Sequence, residues 1–191
     1  MHPMKKYSLP HRVLHFIIGV SMLGLFITGF LRMNWMNRNN LANIIESQES
    51  TNHLQIPKES LNAIGQQLLA PMWQWHIIFA YSILLFFTLR IVYMITQGIR
   101  FPNPFNHRLT WKEKFQGIVY ILFYALVFVD IITGFYMMWG GGTYKSLVEP
   151  IHKYSLYWFP IFFGLHIIGI VIGELTNESG IVSKMINGKE K

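Results

Sequence analysis

Residues 151–173 read IHKYSLYWFPIFFGLHIIGIVIG. This apolar stretch carries two histidines, His152 and His166, which are 14 residues apart. On one α-helix that spacing corresponds to a rise of about 21 Å and a rotation about 40° short of four turns. Pro160 lies between them, so we expect this register to be approximate. The stretch therefore predicts a membrane-crossing helix with a histidine near each membrane surface, both on the same side of the helix.

Three further apolar blocks have a similar length. A hydrocarbon core about 30 Å thick is crossed by roughly 20 helical residues. The blocks that meet this requirement are about 13–33, 72–96, 115–139 and 151–173. The composition agrees, because 52% of the residues are hydrophobic and only 13% are charged. We therefore predict an all-α membrane bundle of four helices, formed as a single domain over residues 1–191.

The sequence contains no cysteine. This excludes covalent c-type haem attachment, cysteine-ligated iron–sulfur clusters and disulfides within these residues. Any redox cofactor must therefore be held by histidine or without protein ligands.

The basic residues predict a topology. The formal net charge is +7, but Lys and Arg lie at the ends of the apolar blocks, which indicates contact with lipid headgroups rather than nucleic acid. Ten lysines and arginines lie in the N-terminal segment, in the connection between the second and third blocks, and in the tail. Only five lie in the first and third connections. Both termini are therefore predicted to be cytoplasmic. Lys5 and Lys6 precede the first block without a small-residue cleavage site after it, so we expect a retained helix.

The first connection, about 34–71, is the longest and is predicted to be extracytoplasmic. Ser60 is predicted to cap a short surface helix with Leu61, Ile64 and Leu68 on one face. This loop is the expected docking place for an extracytoplasmic partner.

Glycines and prolines mark other boundaries. Gly140–Gly142 are expected to end the third helix, and Pro150 to begin the fourth. A short repeat, Ile-Thr-Gly-Phe, occurs at 27–30 and again at 132–135, near the ends of the first and third helices. Two interpretations remain open: small residues that aid helix packing in lipid, or residues that admit a flat cofactor.

Histidines inside apolar spans require a partner or a function. In the predicted topology His15 lies at the depth of His166, and His76 lies at the depth of His152. A haem iron with two axial imidazoles needs one histidine from each side of the macrocycle, and such a six-coordinate iron suits electron transfer. The sequence therefore predicts two non-covalent b-type haems, one on each pair.

His11 competes with His15 as a ligand, because it lies one turn away on the same face. His15 is favoured since it lies inside the apolar block and is followed one turn later by Gly19, which leaves room for a ring. His11 is then expected to approach a haem propionate or the headgroups.

Two charged residues fall within the spans. Arg90 either snorkels to the headgroups or pairs with a haem propionate or a quinone oxygen. Asp130 either forms a hydrogen bond to a hydroxyl or an imidazole, or handles protons. Arg12, beside His11, is a further candidate for such contacts.

With these residues in place, the chain resembles the bacterial cytochrome b561 and nickel–iron hydrogenase b-type cytochrome superfamily, which includes formate dehydrogenase gamma subunits. The resemblance covers essentially the whole chain and rests on Arg12-Val13-Leu14-His15, Thr28-Gly29, His76, Arg90 and the spacing of His152 and His166. Unlike some relatives, the third helix has no histidine.

The resemblance implies a diheme protein of the bacterial inner membrane. It would pass electrons between an extracytoplasmic redox protein, such as a dehydrogenase, hydrogenase or cytochrome c, and the quinone pool. The outer haem would use His76 and His152, and the inner haem His15 and His166. A quinone would bind near the cytoplasmic start of the third helix, where the candidates are Asn106, Lys114 and Gln116.

Two other functions remain open. Some relatives oxidise superoxide with quinone as acceptor, which would make the chain a self-contained enzyme, although the predicted outer surface mixes lysine and arginine with glutamate. A transporter or assembly factor whose histidines bind protons or metal would be colourless.

Overall fold

The computed structural model describes residues 7–52, 56–98, 101–176 and 180–188. Within these ranges all regular elements are helices, namely α1 (Leu9–Met33), α2 (Arg38–Asn52), α3 (Lys58–Thr96), α4 (Trp111–Trp139), α5 (Lys145–Lys153), α6 (Ser155–Leu175) and α7 (Ile181–Asn187). Four segments are long and apolar enough to cross a membrane: Leu9–Met33, Lys58–Thr96, Trp111–Trp139 and Lys145–Leu175. The prediction of an all-α chain with four spans is confirmed. Lys5 and Lys6 lie outside the described residues.

The first connection is more helical than predicted. It contains α2 and the beginning of α3, which runs for 39 residues without interruption through Pro71. Ser60 lies in the first turn of α3, so the prediction that it caps a separate short helix is wrong.

The buried face of this part of α3 also differs from the prediction. Leu61, Leu69 and Met72 are buried, whereas Ile64 and Leu68 are exposed. The buried positions recur at helical spacing and continue into the span. A single long helix therefore replaces the predicted surface helix.

A capping box begins α4 at Trp111, four residues before the predicted start. The Thr110 hydroxyl accepts from the Glu113 backbone N–H, and the Glu113 carboxylate accepts from the Thr110 backbone N–H at 2.8 Å. These bonds satisfy backbone donors that the first helical turn leaves unpaired. The helix ends at Trp139, before Gly140, as the glycine run predicted.

The last span consists of two helices instead of one. The Tyr154 N–H is shared between the carbonyls of Pro150 and Ile151, both at 3.2 Å, which tightens the turn between α5 and α6. Pro150 lies inside α5 and does not begin the span, so that prediction is wrong. His152 and His166 belong to successive helices, which also corrects their predicted register on a single helix.

The chain divides into two compact units, a first unit of Met1–Gly19 with Ile83–Lys191 and a second unit of Val20–Ser82. Each is described by itself. That the chain forms a single domain stays a prediction.

In the second unit, small residues bring α1 and α3 together. The hydroxyls of Ser21 and Ser82 form a hydrogen bond at 2.8 Å. One turn along, a Cβ added at Gly24 would overlap the ring of Phe79. Small residues that allow close helix approach are the usual means of packing helices in lipid.

In the first unit, aromatic rings join α4 to α6. Phe123 stacks on Phe162 with ring centroids 4.2 Å apart. The connection from α6 to α7 is fixed by Glu174, whose carboxylate accepts from the Gly180 N–H at 2.9 Å. The tail beyond Gly180 forms the helix α7.

Candidate functional site

The first unit brings His15 of α1 against His166 of α6. Their ring centroids are 5.9 Å apart, and the ring planes are inclined by 48°. Two residues that are 151 positions apart in the sequence therefore present imidazoles to each other.

The spacing of these rings fits a metal ion between them. With metal–nitrogen bonds of about 2 Å, two imidazoles on opposite sides of one ion have centroids roughly 6 Å apart. Nothing lies within 4 Å of a Cβ added at Gly19 or Gly169, one turn or less from each histidine. The donor set and the open space beside both helices fit a flat macrocycle whose iron takes two axial imidazoles.

His11 is engaged elsewhere. Its Nε2 accepts from Arg90 Nη2 at 3.3 Å, its ring stacks on Tyr7 with centroids 5.1 Å apart, and its carbonyl accepts from Arg90 Nη1 at 3.4 Å. Because the arginine takes up the Nε2 lone pair, His11 is a poorer ligand than His15. This geometry favours His15, as the prediction did.

Arg90 lies beside that histidine within a membrane span. Besides its contacts with His11, its Nε donates to the Tyr124 hydroxyl at 3.4 Å. The guanidinium therefore bridges α1 and α4 and places a positive charge one helical turn from His15.

In the second unit, His76 of α3 is held by two neighbours. Its Nδ1 lies 2.8 Å from the Thr28 hydroxyl. Its ring stacks on Trp73 at a centroid distance of 5.2 Å, with the planes only 3° from parallel. The orientation of this imidazole is thus constrained by a hydrogen bond and by a parallel ring.

In the first unit, His152 of α5 makes the same kind of contact. Its Nδ1 lies 3.1 Å from the Thr133 hydroxyl, and the ring also bonds to the backbone carbonyl of Asp130. A Cβ added at Gly134 would approach the ring to 3.0 Å. The lack of a side chain at Gly134 therefore allows the imidazole to pack against α4.

The sequence matches the model of the prokaryotic cytochrome b561 family over residues 6–188. The chain belongs to this family. It is accordingly a b-type cytochrome with several membrane spans in a bacterial membrane, which binds b-type haem and carries electrons across that membrane. Among curated proteins and among solved structures, none matches it.

Asp130 of the cytochrome is bonded to a neighbouring helix. Its side chain accepts from the indole of Trp158 in α6, while its backbone carbonyl faces His152. The sequence suggested a bond from the carboxyl group to a hydroxyl or an imidazole, whereas the carboxyl group bonds to an indole and the backbone makes the contact with the imidazole. Its carboxyl group joins α4 to α6.

Arg12 of the cytochrome points to the tail. Its Nη1 donates to the carbonyl of Ile186 in α7 at 3.1 Å. Its Nε is buried and has no hydrogen-bond partner in the described structure. One N–H of this cation is therefore left to bind an acceptor.

The three predicted quinone residues have separate surroundings. Asn106 shapes its own turn by accepting from the Arg108 N–H at 3.0 Å, Gln116 donates to the Tyr120 hydroxyl at 2.9 Å, and Lys114 is half-buried on α4. No hydrogen bond joins any two of them within the described residues.

The first unit also contains an apolar cavity of about 290 Å³ that the sequence did not reveal. It is lined by Ile91, Met94, Ile95, Phe101 and Tyr124. The sequence signal that was present, a tyrosine within the third apolar block, is too common in membrane helices to have singled it out.

Proposed function

We propose that this cytochrome binds two b-type haems and transfers electrons between an extracytoplasmic redox protein and the membrane quinone pool. His15 and His166 would be the axial ligands of the inner haem. His76 and His152 would be those of the outer haem. Haem, when bound, supplies a one-electron carrier.

The contact between His15 and His166 carries this proposal. Two imidazoles inside a membrane without a metal or hydrogen-bond partner would destabilise the protein. A shared iron accounts for their spacing of 5.9 Å and for the open space beside Gly19 and Gly169. The outer pair is proposed from the family resemblance and from the similar surroundings of His76 and His152.

Orientation follows from the charge distribution. Both termini are proposed to be cytoplasmic, since Lys and Arg are more frequent in the segments that share a side with them. The start of α1 and the end of α6 would then lie near the cytoplasm, so that His15 and His166 serve the inner haem.

For the quinone we propose the apolar cavity beside Tyr124. Its volume, about 290 Å³, is near the lower limit of small-molecule sites, about 300 Å³, which suits a ring headgroup. Tyr124 lines the cavity, and its hydroxyl, which accepts from Arg90 Nε at 3.4 Å and donates to Met94 Sδ at 3.1 Å, would turn to a quinone oxygen. Arg90 also contacts His11, one turn from the inner ligand His15.

One of the residues predicted from sequence, Gln116, is linked to this site through a neighbour. Gln116 bonds to Tyr120, whose ring lies 5.6 Å from Phe101, a residue of the cavity wall. Asn106 lies in the connection before α4, and Lys114 lies near the start of α4. We propose that these three shape the entrance rather than hold the headgroup.

The test is a spectroscopic and kinetic one on the purified, full chain. A pyridine haemochrome assay should give two b haems per chain, and a stable value of one would contradict the proposal. In proteoliposomes, a quinol should reduce both haems, and an inhibitor that competes with quinol should prevent this. Rapid quinone-coupled oxidation of superoxide would instead favour the self-contained enzyme.

A further inference from the structure

The Ile-Thr-Gly-Phe repeat meets a histidine in both of its copies. The Thr28 hydroxyl lies 2.8 Å from Nδ1 of His76, and the Thr133 hydroxyl lies 3.1 Å from Nδ1 of His152. Each contact lies within a single compact unit. Two separate parts of the chain thus repeat one arrangement of threonine and histidine.

The direction of these hydrogen bonds follows from a second contact of each threonine. The Thr28 hydroxyl lies 2.7 Å from the carbonyl of Gly24, and the Thr133 hydroxyl lies 2.8 Å from the carbonyl of Val129. A carbonyl accepts only, so the single hydroxyl hydrogen must point to it. The hydroxyl then offers a lone pair to the imidazole, and Nδ1 must be the donor.

A histidine that donates from Nδ1 carries its metal-binding lone pair on Nε2. For His152 the backbone carbonyl of Asp130 favours the same tautomer, because a carbonyl can only accept a hydrogen bond. The tautomer of both imidazoles is thereby determined by the surrounding helices. Hydrogen bonds of this kind orient metal-bound imidazoles and raise their basicity.

We infer that Thr28 and Thr133 are positioning residues, each of which holds one imidazole, that of His76 and that of His152 respectively, in the tautomer whose Nε2 can bind haem iron. This inference rests on the proposed assignment of the two histidines as ligands of the outer haem. Each threonine would strengthen electron donation from its histidine to the haem iron that this histidine binds. Each therefore favours the ferric state of that iron and lowers its midpoint potential.

Helix packing alone does not account for these threonines. Thr88 on α3 makes the same contact with its own helix, a hydrogen bond to the Leu84 carbonyl at 2.7 Å, but it is exposed, and among the described residues no hydrogen bond joins it to a histidine. Thr28 and Thr133 are both buried. What distinguishes them is the hydrogen bond that each hydroxyl accepts from an imidazole.

The experiment compares Thr28→Val, Thr133→Val and Thr88→Val in the full-length, haem-loaded cytochrome. Valine keeps the shape of threonine and removes the acceptor. Redox titration and electron paramagnetic resonance report the two haems separately. Thr28→Ser and Thr133→Ser retain the hydroxyl and serve as rescue variants.

We expect Thr28→Val and Thr133→Val to raise the midpoint potential of the same haem and to change its low-spin resonance, while the other haem stays unchanged. Retention of that haem should weaken by about 10- to 100-fold. Thr88→Val should alter neither haem, and the serine variants should restore the original values.

Unchanged potentials and resonances in both valine variants at full haem loading would overturn the inference. So would a shift of two different haems, or equal haem loss in valine and serine variants. Failure of the proposed function is distinct, because it would appear as retention of both haems in His76→Ala and His152→Ala.

Discussion

The two kinds of histidine site in this cytochrome are held in different ways. His15 and His166 face each other through their rings, and His166 also stacks on Phe162 with centroids 5.9 Å apart and planes 14° from parallel. Within the described structure neither has a hydrogen bond. His76 and His152 each bond to a threonine through Nδ1.

This difference indicates how each site responds to change. Ring packing restricts the tilt of an imidazole but leaves its tautomer free, whereas a hydrogen bond to Nδ1 determines both. The inner site should therefore depend on the shape of its aromatic neighbours. The outer site should depend on the polarity of its neighbours.

The largest effect should come from removing the ligands themselves. His15→Ala and His166→Ala should each lose the same haem, and His76→Ala and His152→Ala the other, because an iron with two axial imidazoles is lost when one is removed. A pyridine haemochrome assay should show the haem content halved. His11→Ala is the matched control, since Arg90 engages this histidine, and it should keep both haems. Haem loss in other combinations would contradict the pairing.

A smaller effect is expected from Phe162→Ala. It removes the ring that stacks on His166 and on Phe123, an interaction worth about 0.5–1.5 kcal/mol. Retention of the inner haem should weaken by up to about tenfold, as measured by haem transfer to an acceptor protein. Phe163→Ala alters the next, exposed ring and should have no such effect. An equal response of the outer haem would remove the distinction between the sites.

A change of charge should separate the sites further. Arg90→Gln removes a cation close to His11 and Tyr124, so the inner haem should become harder to reduce, by roughly a few tens of millivolts. Potentiometric titration measures this shift, and quinol reduction should slow at the same time. Arg108→Gln, in the exposed second connection, provides the control. A shift in the midpoint potential of the outer haem alone would contradict the assignment of Arg90 to the inner site.

The smallest effect on the haems should follow from Thr110→Ala. Loss of the capping box should destabilise the start of α4 by about 1 kcal/mol, which thermal unfolding in detergent would record. Both haem potentials should stay unchanged, because the cap contacts neither histidine pair. A change in either potential would show that general destabilisation, rather than local contact, controls the haems.

Several features of the fold could be predicted because they depend on length and residue type alone. Four apolar blocks gave four spans, and Gly140 ended α4 where expected. The predicted helix boundaries were wrong where capping and burial along the helix had not been considered. The capping box of Thr110 and Glu113 lengthens α4, and the helix of Lys58–Thr96 continues through Pro71 because its buried positions keep their spacing.

The candidate site was predicted in part. His15 and His166 were paired from their depths in the membrane, and the structure brings their rings together. The surroundings of Asp130, the cavity at Tyr124 and the role of the repeated threonines were not anticipated. Each depends on which face of one helix meets the next.

The assignment of the four candidate haem ligands therefore depends on two kinds of information. Residue type and membrane depth alone determined that they are metal-binding candidates, because an ionisable group in hydrocarbon requires a partner. Only tertiary structure decided that Arg90 engages His11 and that Thr28 and Thr133 orient their imidazoles. Spans that are apolar on every side carry no periodic signal for helix rotation, so these contacts arise from packing between helices.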